Sequence, residues 1–308
     1  NINNQNNHRN KNTKGNNINN NINSSNRTTT TTASSIGTSV RPPSALCSIW
    51  CAVATAKMSS AISSASCAST QPTPGGGEPA SGEGQRFQSY HQHLINISEG
   101  KEPDIVFLGD HTTAFLSITQ VWDILFAQSH SLNLSAVEDK TQNLLWRLEN
   151  SLLDKVTPKV VVISIGSNNL RAGDSPEDIA AGVDACVRAV KTHKQSDKPP
   201  FIIVMGLLPC CHRESPLRSL VAETNRLLHT AIDKHDDCQL IDVSSIFVKE
   251  DGSISHTDMF DLFHLTKYGY YKAFEPVHDL ASQILQEAYG IKFTKSTDRL
   301  CDMDGTIP

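Results

Sequence analysis

Three short stretches carry side chains whose types and spacing could do chemistry. Gly109-Asp110-His111 closes the apolar run Ile105-Val106-Phe107-Leu108, and Gly166-Ser167-Asn168-Asn169 closes the apolar "KVVVISI". Late in the chain, "DMFDLFHLTKYGY" sets Asp261 and His264 three residues apart. A carboxylate within reach of an imidazole fixes its tautomer and lets it accept a proton. An asparagine amide just after a strand can donate to developing negative charge. Such a set would serve acyl transfer if a nucleophile stood after the first strand, where α/β proteins place their reactive residue. That position holds His111, with Thr112 and Thr113 as the nearest hydroxyls. A purely structural reading stands beside the chemical one. Asp261 and His264 could satisfy each other at a strand end, and Asn168 could tie neighbouring loops together.

The elements that must position these residues are legible from apolar patterning. Strands are expected at 104–108, 130–135, 159–165, 201–207 and 238–243, with helices between them. One helix is expected from Ser175, with Pro176 at its first position and Asp178 three residues after the cap. Its Ile179, Val183, Cys186, Val187 and Val190 share a face. A second runs from about Pro216 and turns Leu217, Leu220, Val221, Leu227, Leu228 and Ala231 inward. Continuous apolar strands alternating with helices predict an α/β fold, a three-layer α/β/α sandwich with a central parallel sheet of about five strands. The reactive residues of such a fold gather at the carboxyl ends of the strands.

Composition narrows the function classes. The 308 residues carry a formal net charge of −5, which gives no reason to expect nucleic acid or an anionic membrane as partner. No apolar stretch approaches the ~20 residues needed to span a bilayer. Eight cysteines fall in no metal-ligand spacing, and Cys210 and Cys211 are neighbours. This is the usage of a reducing, cytoplasmic compartment rather than of a disulfide framework. Residues 1–85 read as low-complexity and disordered, led by an Asn/Thr tract that cannot bury enough apolar surface to offset chain entropy. Within them "SALCSIWCAVATAKM" has the composition of a short signal-peptide core, but lies deep inside the chain. Residues 1–57 are expected to be translated leader ahead of Met58, the first methionine. The folded domain is expected over 86–288, with 289–308 as a tail.

The phrases "PDIVFLGD", "LLWRLEN", "PKVVVISIGSNN", "GLLP", "DGSISHTDMFDLFHLTKYGY" and "PVHDL", in this order, resemble the GDSL, or SGNH, hydrolase superfamily (flavodoxin-like in fold). Within it they are most similar to the family of alpha catalytic subunits of intracellular platelet-activating factor acetylhydrolase. The resemblance runs from about residue 86 to 288. It implies an acyl-ester hydrolase in which a serine after Gly-Asp attacks and an Asp-x-x-His pair serves as base. The serine amide, a glycine amide and an asparagine side chain hold the oxyanion. Asp261, His264 and Asn168 match that pattern, whereas His111 stands at the nucleophile and Glu138 at the oxyanion glycine. An imidazole replaces the hydroxyl, and a carboxylate would oppose the developing charge.

The resemblance therefore implies a catalytically inactive homologue acting as a dimeric interaction protein. The alternative is an active acetylhydrolase for phospholipids like platelet-activating factor. It further implies a homodimer and contact with the lissencephaly protein, a WD40 regulator of dynein. No cofactor and no metal are expected: His111, Glu138, Asp261 and His264 are ligand types, but mutual ion pairing is the expectation for them, with raised histidine pKa values.

Overall fold

The computed structural model describes residues 67–193 and 198–296. Five strands, β1 (Ile105–Gly109), β2 (Ser131–Asn133), β3 (Val160–Ser164), β4 (Phe201–Met205) and β5 (Cys238–Ile241), form one parallel sheet in the order β2-β1-β3-β4-β5. Ile105 pairs with Val160 on one side and Ser131 on the other, so β1 lies between two parallel neighbours. Strands β1 and β3 are buried along their whole length, which is why their sequences are continuous apolar runs rather than alternating ones. The edge strands β2 and β5 are short and half-buried. Strand order reverses between β1 and β3, and ligand crevices of open α/β sheets lie outside the carboxyl ends at that switch point.

Nine α-helices follow among the described residues: α1 (Gly82–Ser98), α2 (His111–Leu116), α3 (Gln120–Leu125), α4 (Thr141–Glu149), α5 (Ser167–Ala172), α6 (Pro176–Lys191), α7 (Pro216–Ile232), α8 (Ser244–Phe247) and α9 (Lys267–Tyr289). Because side chains alternate across a strand, the sheet feeds two cores. Val106, Leu108, Val161, Ile163 and Val204 pack beneath α1, α4, α6 and α7. Ile105, Phe107, Val160, Val162 and Met205 pack against α2, α3, α8 and α9. The result is a three-layer α/β/α sandwich. Phe107 and Phe274, both fully buried, each stabilise it by about 1.5–3 kcal/mol.

Local signals in the sequence explain the helix starts. The Ser175 hydroxyl accepts the Asp178 N–H at 3.1 Å and Pro176 occupies the first helical position, so α6 begins where expected. Its Ile179, Val183, Cys186, Val187 and Val190 are all buried. Helix α7 begins in the same way, with Ser215 accepting the Arg218 N–H at 3.2 Å. Leu217, Val221 and Leu228 are buried there and Leu220 and Leu227 partly so, but Ile232 rather than Ala231 fills the last inward position.

Contacts among the described residues pass both expected domain limits. On the N-terminal side, polar groups rather than apolar ones fasten the described residues from Cys67 onward to the sandwich. Ser69 is buried and donates to Asp174 at 2.9 Å, Thr141 Oγ1 donates to the Ser69 carbonyl at 2.9 Å, and Thr73 N–H reaches the Gln142 carbonyl at 3.0 Å. The tail is also not all separate: Phe293 is buried beside His278, and Ser296 N–H bonds the Ile124 carbonyl at 2.9 Å. The Asn/Thr tract, the proposed leader, the signal-like segment and residues 297–308 lie outside the described residues. No helix among the described residues is long and apolar enough to cross a membrane.

Candidate active site

The carboxyl ends of β1 and β3 are latched together. A Cβ at Gly109 would lie 2.0 Å from the Ser164 carbonyl oxygen, so only glycine lets the two backbones approach this closely. Asp110 N–H then donates to that same carbonyl at 3.1 Å. The Asp110 carboxylate caps α2 by accepting Thr112 N–H at 3.0 Å, and it also accepts the Ser167 hydroxyl in a close contact. One buried carboxylate thus joins the helices that follow β1 and β3.

This latch presents His111 at the head of α2, with its side chain only 8% exposed. Its ring stacks on Phe263 (centroids 5.5 Å, planes 20° apart) and meets His264 edge to face at 5.1 Å. Asp110 Oδ1 lies 3.6 Å from His111 Nδ1. His264 is fixed from its other side: Nδ1 bonds Asp261 Oδ2 at 2.7 Å. Asp261 is itself held, since its Oδ1 accepts the Phe263 N–H at 3.0 Å and the His264 N–H at 2.7 Å. An Asp-x-x-His turn therefore folds back on itself, and the three-residue spacing is what lets one carboxylate take both backbone and ring.

Burial pushes the Asp261 carboxyl up, but the His264 N–H, the His264 ring and the Phe263 N–H together hold it below the usual carboxylate range. His111 goes the other way from expectation. Burial lowers its pKa; Asp110 and Asp261 pull it up, while His264 and Arg171 push it further down. Loss of water around a nearly enclosed imidazole outweighs the carboxylates beside it. Arg171, on α5, lies with its guanidinium carbon 5.6 Å from the Phe263 ring centre, and burial lowers its pKa as well.

The loop after β2 departs from the expected crowded pocket. Glu138 is exposed and makes no ion pair with His111 or His264. Its neighbour Asp139 points inward and takes Arg147 in a two-pronged pair, with Nε at 2.6 Å and Nη2 at 3.0 Å. Burial raises the Asp139 carboxyl to about 6 despite that pairing. The Arg147 guanidinium also lies 3.9 Å over the Phe87 ring of α1. Asn168 turns to the same loop: Nδ2 donates to the carbonyls of Val137 at 3.0 Å and Asp139 at 2.9 Å, on either side of Glu138. Those contacts are the loop-tying geometry. As an oxyanion donor the side chain would have to give one of them up.

The site thus brings His111, His264 and Asp261 together, sets Asn168 beside the loop carrying Glu138, and leaves the Glu138 side chain outside. No group of three or more His, Cys, Asp or Glu among the described residues is placed to hold a metal. Sequence reasoning gives no role to Asp139, Arg147 or Phe263, and it places Asp110 and Ser167 beside His111 and Asn168 without showing that they latch the two strands. One signal was available: Arg147 interrupts the leucines of "LLWRLEN" three residues after Leu144, on the buried face of α4, and a cation there calls for a buried partner.

Comparison with known proteins bears on this geometry directly. The model of the GDSL-like lipase/acylhydrolase family matches residues 107–272, which span the site from β1 to the start of α9. The chain belongs to that family. It is 40% identical over 202 residues to platelet-activating factor acetylhydrolase IB subunit alpha2 of Gallus gallus, covering 66% of this chain and 86% of the relative. It is 34% identical over 221 residues to the human alpha1 subunit, covering 72% and 92%. A solved structure from Streptococcus pneumonia, assigned provisionally as a platelet activating factor, superposes with a TM-score of 0.54 at 15% identity, covering 63% and 92%. That last likeness concerns the fold alone.

Proposed function

We propose that this chain is a catalytically silent member of the GDSL family, acting as a dimeric interaction protein built on an esterase fold. One observation carries the reading: the residue after Gly109-Asp110 is a buried imidazole stacked on Phe263, where the family resemblance asks for a serine hydroxyl. The neighbouring hydroxyls do not replace it, since Thr113 Oγ1 donates to the Asp110 carbonyl at 3.2 Å and Thr112 is buried in α2. Triads that lose their nucleophile keep only about 10³–10⁴-fold over water, from the oxyanion hole and binding. Asn168, occupied by two loop carbonyls, weakens that remainder. Losing one oxyanion donor costs on the order of 10²–10³ in turnover.

The test is incubation of the full chain with an activated short-chain acetyl ester and, separately, with a fluorophosphonate probe. The expected result is no turnover above buffer and no covalent labelling. A second reading, an acetylhydrolase acting on phospholipids like platelet-activating factor, draws on the intact Asp261–His264 pair at 2.7 Å. Turnover that disappears in His264→Ala would establish it and overturn the first. The proposal extends to a homodimer, to the lissencephaly WD40 protein as partner and to a cytoplasmic location. Light scattering at micromolar concentration tests the first of these, and a monomer would remove it.

A further inference from the structure

Cys210 and Cys211 stand in the turn that follows β4, and nothing in the acyl-transfer set uses them. Both are buried, and their sulfurs lie 3.6 Å apart. The turn is fastened on two sides. Arg218 of α7 donates through Nε to the Cys210 carbonyl at 2.8 Å and through Nη2 to the Cys211 carbonyl in a close contact. Cys211 N–H donates to the Leu262 carbonyl at 3.0 Å, and Leu262 is the residue between Asp261 and Phe263. Cys211 (φ 68°) and Leu262 (φ 65°) both occupy the left-handed region that side-chain-bearing residues rarely adopt. One hydrogen bond therefore joins two unusual backbone positions, one in the thiol pair and one in the Asp-x-x-His turn.

We propose that Cys210 and Cys211 form a vicinal dithiol that small hydroperoxides convert to a disulfide, a modification site coupled to the loop of Asp261 and His264. One thiolate attacks the terminal peroxide oxygen; the O–O bond breaks, a sulfenic acid forms, and the departing alkoxide (hydroxide from hydrogen peroxide) takes a proton and leaves as alcohol or water. The second sulfur then attacks the sulfenic sulfur. An S–S bond forms as the S–O bond breaks, and a water carries off the hydroxyl and the remaining thiol proton. The two sulfurs lose two electrons and the peroxide gains two. Adjacent Cα atoms are only about 3.8 Å apart, shorter than disulfides usually span, so this bridge is of the readily reduced kind.

Closing the ring must turn the peptide between the two residues and with it the Cys211 N–H. The Leu262 carbonyl follows or loses its donor. Phe263, whose ring lies on His111, and His264, whose ring is held by Asp261, are the next two residues. The redox state of a turn on β4 is thereby communicated to both imidazoles of the site.

The experiment treats the full chain with hydrogen peroxide, blocks remaining thiols under denaturing conditions and maps the peptides. The Cys210–Cys211 peptide should be unblocked and lighter by two hydrogen atoms, and should regain both thiols with a dithiol reductant. Cys186, fully enclosed under α6 in the same core but with its thiol pushed up by burial, should stay reduced. A stable sulfenic or sulfinic acid without the bridge, a bridge to another cysteine, or an unmodified peptide would each overturn the dithiol. On the same samples, the His264 and His111 imidazole resonances should move on oxidation, return on reduction, and stay still in Cys210→Ser. If the bridge forms while those resonances do not move, the coupling is wrong and the modification stands alone.

Discussion

His111 and His264 meet edge to face with ring centroids 5.1 Å apart; Asp261 holds the second at hydrogen-bond distance, 2.7 Å, whereas Asp110 lies 3.6 Å from the first. An imidazole oriented by a carboxylate, the arrangement a general base requires, is therefore present, but it faces another imidazole. The consequence appears first in ionisation. Burial disfavours the charged imidazole more than Asp110 beside it favours it, so a nearly enclosed His111 holds its neutral form.

That fixes the direction of a pH effect. With its folded pKa below the ordinary value of about 6.5, His111 contributes stability that is complete above that value and is lost as pH falls through the folded pKa. His91, His235 and His278 are lowered in the same direction by burial, so the effect must be isolated by difference. In His111→Phe the ring can keep its stack on Phe263 without titrating. Melting temperatures measured near pH 7.5 and near pH 5.5 should fall more for the native chain than for the variant on acidification. Parallel losses would mean that His111 titrates at its ordinary value.

Asp139 and Arg147 form a buried pair, and breaking one side should be worse than removing both. Asp139→Asn leaves a guanidinium enclosed between Phe87 and the core, and should cost about 3–5 kcal/mol in urea unfolding. The double change Asp139→Leu with Arg147→Met removes both charges and should cost clearly less than the single one. Equal losses would assign the effect to packing rather than to charge.

The segment before α1 should carry measurable stability. A chain beginning at Cys67 keeps the Ser69 bonds to Asp174 and Thr141 and the Thr73 bonds to Gln142 and Asn143; one beginning at Glu78 keeps none of them, yet retains the Ser81 cap of α1. At roughly 1 kcal/mol for each of four bonds, the shorter chain should melt on the order of 10 °C lower. Coincident melting curves would show that this segment is decoration.

How far the sequence revealed these features follows from their physics. β1 and β3 were legible because strands covered on both faces must be apolar throughout, and α6 because a serine cap, a proline and one apolar face agree. The pairing of Asp261 with His264 was legible because three residues of spacing closes a turn. The direction of His111 was not, because residue types do not say whether water or a carboxylate surrounds an imidazole. Nor was the division of labour between Glu138 and Asp139. Adjacent acids look alike in sequence, and only the fold decides which faces Arg147 and which faces solvent. The attachment of residues 67–81 is not legible either, because it is polar and long-range, through Asn169, Thr141 and Asp174, and leaves no apolar pattern.

If silence at the site comes from local substitutions on a sound scaffold, reversing them should restore chemistry. His111→Ser supplies a hydroxyl at the head of α2, where the N–H of the same residue has no intrahelical acceptor and remains available to an oxyanion. His264, fixed through Nδ1 by Asp261, keeps its other ring nitrogen to take the proton. Glu138→Gly frees the loop between the Val137 and Asp139 carbonyls to turn an amide toward the same point, and Asn168 already borders that loop. Each single change should do little, because nucleophile, base and oxyanion donors act as a unit whose effects are grossly non-additive. The double variant should hydrolyse short acyl esters well above the sum of the singles, and adding His264→Ala should abolish the gain. A double variant that is folded but inert would place the block elsewhere. The first position to change would then be Asn168, whose amide must leave one loop carbonyl before it can serve an oxyanion.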